Sequence, residues 1–124
     1  MLKRKNIIKI AIDSPAAAGA GTIGKAISKH YNLFYLDTGK IYRFIAFLKL
    51  NYPKKFNLKF IKDKIRNLQI KDLSNKKLLS DEVGTEASTI SKNLNIRKMV
   101  YLFQVNLAYN PPKKYNGSCL DGRD

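Results

Sequence analysis

The sequence predicts an α/β fold with a parallel β-sheet. Short apolar segments typical of buried strands alternate with segments of helical periodicity, and the first strand runs through a loop of small residues into a helix. Parallel strands need a long crossover connection, usually a helix, so this alternation favours a parallel sheet over an antiparallel one. The chain of 124 residues is long enough for one modest domain.

The first predicted strand covers about Ile7 to Ile12 and ends in Asp13. Small residues follow at 14–22, and a strand, such a loop and a helix N-terminus form the layout of a phosphate-binding loop. We therefore expect the phosphates of ATP to be bound by backbone N–H groups where the helix begins. The residues that would supply these groups are Gly19, Ala20, Gly21 and Thr22.

This loop departs from the usual pattern, G-x-x-x-x-G-K-[ST], at its charged position. Ser14 stands where the first Gly belongs and Ala20 where the Lys belongs, while Gly19 matches the second Gly. Ala20 cannot place a positive charge on the β- and γ-phosphates. The segment alone therefore leaves two interpretations open, phosphate binding and a strand–turn–helix without a ligand.

The helix after the loop is expected to bury an apolar face at helical spacing, made of Ile23, Ala26, Ile27, His30 and Tyr31. A short buried strand, Leu33 to Leu36, then leads through Asp37-Thr38-Gly39 into a helix. This helix is expected to run from about Lys40 to Leu50 and to end before Pro53.

The middle of the chain, 54–77, is rich in lysine. We expect a short helix near 58–66 and a strand pair near Leu68–Ile70 and Leu78–Leu79, followed by helices at about 84–93 and 95–109. The last of these helices should bury a stripe of Ile96, Met99, Val100, Phe103 and Leu107. A final short strand, 118–120, then runs into Asp121-Gly122-Arg123-Asp124.

The net charge of +15 raises the question of a nucleic-acid partner. Most of the 24 basic residues are lysines scattered through every segment, and Lys, Asn and Ile, which have AT-rich codons, are all abundant. A biased coding sequence therefore explains the charge without a binding surface. We do not expect a nucleic-acid partner. The alternative, which differs in functional class, is a basic RNA-binding protein.

Cysteine content and hydropathy indicate the cellular compartment of the protein. The one cysteine, Cys119, cannot form an intrachain disulfide, which is typical of a reducing cytoplasm. No apolar run approaches the roughly 18 residues of a membrane span. We expect a cytoplasmic protein without a membrane partner.

Polar side chains follow two of the predicted strands. Thr38, Tyr42 and Arg43 place a hydroxyl, an aromatic ring and a guanidinium after one strand end, where open α/β sheets bind ligands. An anionic partner would explain Arg43 on an otherwise apolar helix, and an ordinary solvated arginine is the alternative. Asp121, at the end of another strand, is the type of carboxylate that holds Mg²⁺ beside a phosphate loop.

The order and spacing of these motifs resemble those of bacterial cytidylate kinases over essentially the whole chain. The matching segments are Ile-Asp-x-Pro-x-x-x-Gly from Ile12, Tyr35–Arg43, Ala87-Ser88, Ile96-Arg97 and Leu120–Asp124. The resemblance implies a doubly wound parallel sheet of the P-loop nucleoside monophosphate kinase type, C-terminally truncated. In that fold the strand ending at Asp121 lies between the other two strands.

The resemblance also implies an activity, the transfer of the γ-phosphoryl group of ATP to CMP or dCMP with Mg²⁺. The residues implied to lie around the CMP ribose and phosphate are Thr38, Tyr42, Arg43 and Arg123. Those implied to read the cytosine are Ser88, Arg97 and Asp124. Asp121 and Arg123 would be catalytic, with Asp121 near Mg²⁺. Residues 1–50 and 117–124 would form the core, and about 51–116 a helical subdomain for the acceptor nucleotide.

Three departures from the family's pattern lower the expected activity. The substitutions Ser14, Ala17 and Ala20 replace two glycines and the lysine of the loop, and Leu79 stands where the family usually carries Arg. The family also continues past Asp124 through further strands and an arginine-bearing lid. We expect little or no turnover by this polypeptide alone, and a complementing C-terminal chain or self-association as a partner. A degenerate remnant that binds CMP, or nothing, is the main alternative.

Overall fold

A computed structural model of the chain describes residues 7–13 and 20–122 and shows a three-stranded parallel sheet together with helices. The elements in chain order are β1 (Ile8–Asp13), α1 (Ala20–Tyr31), β2 (Leu33–Asp37), α2 (Thr38–Asn51), α3 (Leu58–Arg66), two 3-10 helices (Ile70–Ser74 and Lys76–Leu79), α4 (Asp81–Ile90), α5 (Leu94–Tyr109) and β3 (Gly117–Gly122). The predicted α/β class with a parallel sheet is confirmed.

The chain divides into two compact units. We call residues 1–39 and 103–124 the sheet unit and residues 40–102 the helical unit. The functional division expected from the sequence, with a core of 1–50 and 117–124, stays a prediction. Among the described residues, no helix is both long and apolar enough to cross a membrane.

The sheet unit is built around β3, which is the last strand in sequence and the central strand in space. The strand order is β1-β3-β2, and both outer strands pair in parallel with β3, so that Ile8 and Leu33 lie opposite Gly117. This is the order that the resemblance implied. A Cβ at Gly117 would lie 1.9 Å from the carbonyl oxygen of Ile8, so only glycine allows the strands to approach here.

Helix α1 packs through small residues and not through the predicted apolar face. Gly24 and Ser28 are buried, whereas Ile23 and Tyr31 are 54% and 50% exposed. The Ser28 hydroxyl donates to the Gly24 carbonyl at 2.7 Å, so its burial leaves no unpaired group. Of the five residues predicted for that face, only Ile27 is half-buried. The prediction fails because hydrophobic periodicity gives no weight to a glycine and a serine that permit close packing.

The strand pair predicted near Leu68–Ile70 and Leu78–Leu79 is wrong, because the chain forms two 3-10 helices there. Local side-chain bonds explain the difference. The Asp72 carboxylate accepts from the Gln69 N–H, and the Asn75 side chain accepts from the Lys77 N–H, each at 2.9 Å. Such bonds draw the backbone into tight turns and compete with extended pairing.

Polar caps begin the later helices. The side chains of Asn57, Ser80 and Asn93 accept hydrogen bonds from backbone N–H groups in the first turns of α3, α4 and α5. The Ser80 cap starts α4 at Asp81, earlier than the predicted position 84. Buried side chains from these helices, from α2 and from the second 3-10 helix form the core of the helical unit, among them Ile41, Ile45, Ile61, Leu78, Val83 and Val100.

Within the described residues, β1 pairs on one side only, because β3 is its single neighbour. The Ile8 N–H bonds to the Asn116 carbonyl at 3.2 Å. Since N–H groups alternate in direction along a strand, those of Ile10 and Ile12 face β3 and those of Lys9 and Ala11 face away. An apolar strand with outward-facing donors is a template for pairing with another strand.

We predict that a polypeptide of these 124 residues self-associates through the outer edge of β1, despite its charge of +15. Ala11→Pro removes an outward N–H without removing a bond to β3, and proline is tolerated at such an edge, so this variant should associate less and stay folded. Ala11→Ser, which keeps the N–H, is the matched control. Light scattering over a concentration series at moderate salt measures the mass. A parent chain that remains a monodisperse monomer, or an Ala11→Pro variant that associates like the parent, would contradict the prediction.

Candidate functional site

The carboxyl ends of the three strands share one edge of the sheet unit. The register places Asp13 opposite Gly122 and Asp37 opposite Asp121. In open parallel α/β sheets, this edge is where ligands bind. The residues that follow or end these strands are therefore the first candidates for a site.

Asp121 lies at this edge, is 8% exposed, and is held by a tyrosine. The Tyr35 hydroxyl donates to Asp121 Oδ2 at 2.6 Å. A Cβ built on Gly24 would lie 2.9 Å from the same oxygen, so the carboxylate lies against the second turn of α1. Burial raises the pKa of Tyr35 well above its usual range, and the hydrogen bond to Asp121 and the negative charge of Asp121 raise it further. The phenol therefore keeps its proton.

The described part of the predicted ATP site is the start of α1. The helix begins at Ala20, and Gly21 and Thr22 are exposed in its first turn. The first N–H groups of a helix have no partner within the helix, and the helix dipole favours an anion there. Gly19, Ser14 and Ala17 lie outside the described residues.

Thr38 begins α2 and packs against the end of β3. Asp37 caps this helix by accepting from the Gly39 N–H at 3.0 Å. Thr38 is 9% exposed, and a Cβ on Gly122 would lie 2.5 Å from Thr38 Oγ1. Thr38 and Asp121 therefore lie at the same edge of the sheet unit. The role of Thr38 toward CMP stays a prediction.

In the helical unit, Arg43 is bound by backbone carbonyls. Its Nη1 donates to the Leu78 carbonyl at 2.7 Å and to the Ser80 carbonyl at 3.4 Å. A Cβ on Gly84 would lie 2.9 Å from Nη2, so the guanidinium lies along the start of α4. A guanidinium has five N–H donors, and these bonds leave others for an anion.

Tyr42 and Arg97 interact within the helical unit. Burial raises the pKa of the Tyr42 phenol, and the positive charge of Arg97 lowers it in part. Arg97 and Ser88 are exposed, and Leu79 is 64% exposed. Two further predicted site residues, Arg123 and Asp124, lie outside the described residues.

The residues present fit a magnesium ion that phosphates help to hold. Among the described residues Asp121 supplies one buried carboxylate, and no group of three or more His, Cys, Asp or Glu side chains is placed to hold a metal. At nucleotide sites Mg²⁺ takes one or two carboxylates and completes its shell with phosphates and water. The described residues do not fit a metal site in which protein side chains alone supply the ligands.

Tyr35 is the residue of this site to which the sequence analysis gave no role. The other residues of β2 before Asp37, namely Leu33, Phe34 and Leu36, are buried and apolar. A tyrosine in such a strand needs a partner for its hydroxyl. A tyrosine among buried apolar residues therefore indicates a polar group on a neighbouring element. Only the strand register identifies this group as Asp121.

Comparison with known proteins agrees with these motifs. The family model described as cytidylate kinase matches residues 10–124. The cytidylate kinase of Bradyrhizobium sp. (strain ORS 278) is 38% identical over 121 residues, and that of Bartonella tribocorum (strain CIP 105476 / IBS 506) is 41% identical over 120 residues. Each alignment covers 93% of this chain but only 53% and 52% of the respective relative. The chain thus spans about half the length of the curated relatives it matches.

The bonds of Arg43 predict a contribution to stability that needs no ligand. Arg43→Lys should lower the free energy of unfolding by about 1–2 kcal/mol, because an ammonium cannot reproduce the guanidinium's contacts with both carbonyls. Arg97→Lys, at an exposed position, is the matched control and should stay within about 0.5 kcal/mol of the parent. Urea unfolding followed by circular dichroism measures both. Equal effects of the two substitutions would show that the carbonyl bonds of Arg43 do not stabilise the fold.

Proposed function

This chain belongs to the cytidylate kinase family, and we propose that it forms the N-terminal, nucleotide-binding part of an enzyme that transfers the γ-phosphoryl group of ATP to CMP or dCMP. The observation that carries this proposal is the position of Asp121. Its carboxylate lies against α1 at the edge where the parallel strands end. A carboxylate beside a helix N-terminus is the arrangement that phosphoryl-transfer sites use for a nucleotide and its metal.

On the donor side, we propose that the first turn of α1, with Ala20, Gly21 and Thr22, binds the phosphates of ATP through backbone N–H groups. Asp121 would be the protein ligand toward Mg²⁺. When bound, Mg²⁺ supplies positive charge to the phosphate oxygens. Phosphoryl transfer depends mostly on positioning and charge neutralisation, so the role of Asp121 is to hold and orient rather than to move a proton.

On the acceptor side, the helical unit carries four of the proposed CMP residues: Tyr42, Arg43, Ser88 and Arg97. Arginine suits this task because its planar guanidinium binds phosphate oxygens in pairs. The N–H donors of Arg43 that do not face Leu78 and Ser80 would serve the CMP phosphate. In the sheet unit the proposed acceptor residues are Thr38, Arg123 and Asp124, of which Asp124 would accept from the exocyclic amine of cytosine.

For the polypeptide of 124 residues we propose CMP binding with little turnover. The loop cation is absent because Ala20 replaces the lysine. Loss of one preorganised charged donor costs on the order of 3–4 kcal/mol of barrier, which is ~10²–10³ in rate. Ala20 is also the observation that favours the second candidate, a CMP-binding protein without catalysis.

We predict that CMP binds this polypeptide more tightly than ATP, because the acceptor residues are retained and the phosphate loop has lost its cation. Arg97→Ala should weaken CMP binding roughly tenfold or more, which corresponds to the loss of one charged hydrogen bond. Arg66→Ala removes another exposed arginine of the helical unit and should leave CMP binding unchanged. Calorimetric titration with each nucleotide makes the comparison. ATP binding without CMP binding would overturn the acceptor assignment, and binding of neither would favour a degenerate remnant.

We also predict that the purified polypeptide forms no ADP above background in the presence of ATP, Mg²⁺ and CMP. Ala20→Lys alone should not restore activity if the family's lid arginines are needed independently of the loop. A coupled assay measures ADP, with the full-length Bartonella tribocorum relative as positive control. A turnover near 1 s⁻¹, within the ordinary kinase range of roughly 1–100 s⁻¹, would refute the prediction.

A further inference from the structure

We infer that Tyr35 is a positioning residue for Asp121, in that its hydroxyl fixes the carboxylate in the orientation that Asp121 needs as a ligand toward the Mg²⁺ of a bound nucleotide. The inference rests on the proposed function, because it assigns a task to Asp121. It goes beyond that function by naming the side chain that makes the task possible.

The hydrogen bond between the two residues is short and charge-assisted. The distance of 2.6 Å from the Tyr35 hydroxyl to Asp121 Oδ2 lies in the range of strong O–H···O⁻ bonds. A carboxylate has two oxygens and about four acceptor positions, so this bond leaves acceptor capacity for a cation. Tyr35 therefore orients Asp121 and leaves it acceptor positions for a cation.

The register explains why this position needs a tyrosine. Tyr35 lies opposite Cys119 on β3, whereas Asp121 lies opposite Asp37. The side chain at position 35 must therefore extend along the sheet to reach the carboxylate. A phenol has the necessary length and carries its donor at the tip, and it has few torsions to order.

The tyrosine ring is itself fixed by α1. A Cβ on Gly24 would lie 2.7 Å from Tyr35 Cε1 and 3.1 Å from Ile12 Cδ1. A Cβ on Gly21 would lie 3.8 Å from the Tyr35 hydroxyl oxygen, so this oxygen lies close to the first turn of α1. Gly24 thus leaves the space that the ring and the carboxylate occupy, and the ring cannot swing toward the helix. A fixed ring holds its hydroxyl, and the hydroxyl holds Asp121.

Partners that orient a metal-binding carboxylate have measurable effects on metal affinity. Their removal typically costs ~10–100-fold. Tyr35→Phe keeps the ring and removes only the donor, so it separates orientation from packing. We expect it to raise the Mg²⁺ concentration at half-saturation by about that factor.

The test is an NMR titration of the 124-residue chain, carrying Ala11→Pro to limit self-association, with Mg²⁺ at a constant, saturating concentration of ATP. It is followed at the Gly122 amide, and the midpoint is expressed as free Mg²⁺ because unbound ATP also binds the metal. Four variants are compared with the parent: Tyr35→Phe, Asp121→Asn, the double variant, and Tyr31→Phe. Tyr31→Phe removes the hydroxyl of an exposed tyrosine of α1 and is the matched control.

We expect a higher midpoint for Tyr35→Phe and no change for Tyr31→Phe. Asp121→Asn should lose the response, and the double variant should behave like Asp121→Asn. Urea unfolding of each variant shows whether the midpoint follows stability instead.

An unchanged midpoint in Tyr35→Phe, with a lost response in Asp121→Asn, would overturn the role of Tyr35 and leave the proposed function intact. Equal responses of the parent and Asp121→Asn would overturn both the inference and the metal assignment. A midpoint that rises in Tyr35→Phe in step with a fall in its free energy of unfolding would show that Tyr35 acts through packing and would overturn the inference. If Tyr35→Phe does not fold, Tyr35→Met, which also lacks a donor, replaces it, and a midpoint equal to that of the parent would contradict the inference.

Discussion

The central position of β3 is the constraint on which the rest of the sheet unit depends. This strand comes last in sequence, yet both β1 and β2 pair only with it among the described residues. Its first half can enter the gap because its side chains are small: Gly117 approaches the Ile8 carbonyl, and Ser118 and Cys119 are fully buried. The same insertion brings Asp121 between the ends of the two outer strands. The packing of the sheet and the position of the candidate carboxylate therefore have one cause.

The sequence predicts those parts of the fold in which one local signal dominates. The first strand, α3 and α5 carry clear periodicity or clear caps, and their observed bounds fall within about two residues of the predicted ones. The strand pair near Leu68–Ile70 fails because Asp72 and Asn75 bond to nearby backbone, which is a local alternative to extended pairing. The face of α1 fails for a different reason. Its contacts depend on the absence of side-chain volume at Gly24, and hydrophobicity does not measure that.

The sequence predicts which candidate site residues lie at the ends of strands. It does not predict which side chains bond to one another. Asp121, Thr38 and the start of α1 could be placed at one edge from the parallel order of the strands alone. The Tyr35–Asp121 bond joins residues 86 positions apart and depends on the register of two strands. The partners of Arg43 were equally hidden, because a backbone carbonyl has no signature in the sequence.

The two hydrogen bonds of Arg43 to backbone carbonyls affect how the proposed CMP binding would relate to catalysis. Bonds to Leu78 and Ser80 hold the guanidinium in place before any ligand arrives. A preorganised arginine loses less conformational entropy when it binds an anion, so the proposed contact between Arg43 and the CMP phosphate would cost less free energy to form.

On the proposed ATP side, Ala20 stands where the loop pattern has a lysine. The described start of α1 would therefore bind phosphate through backbone N–H groups and the helix dipole. In the proposed function, CMP binding and ATP binding depend largely on different residues, so the loss of one would not require the loss of the other. Under the proposed function, reduced CMP affinity in an Arg43 variant would combine a lost ligand contact with the loss of the bonds to Leu78 and Ser80. A variant of the exposed Arg97 would report on the ligand contact more directly.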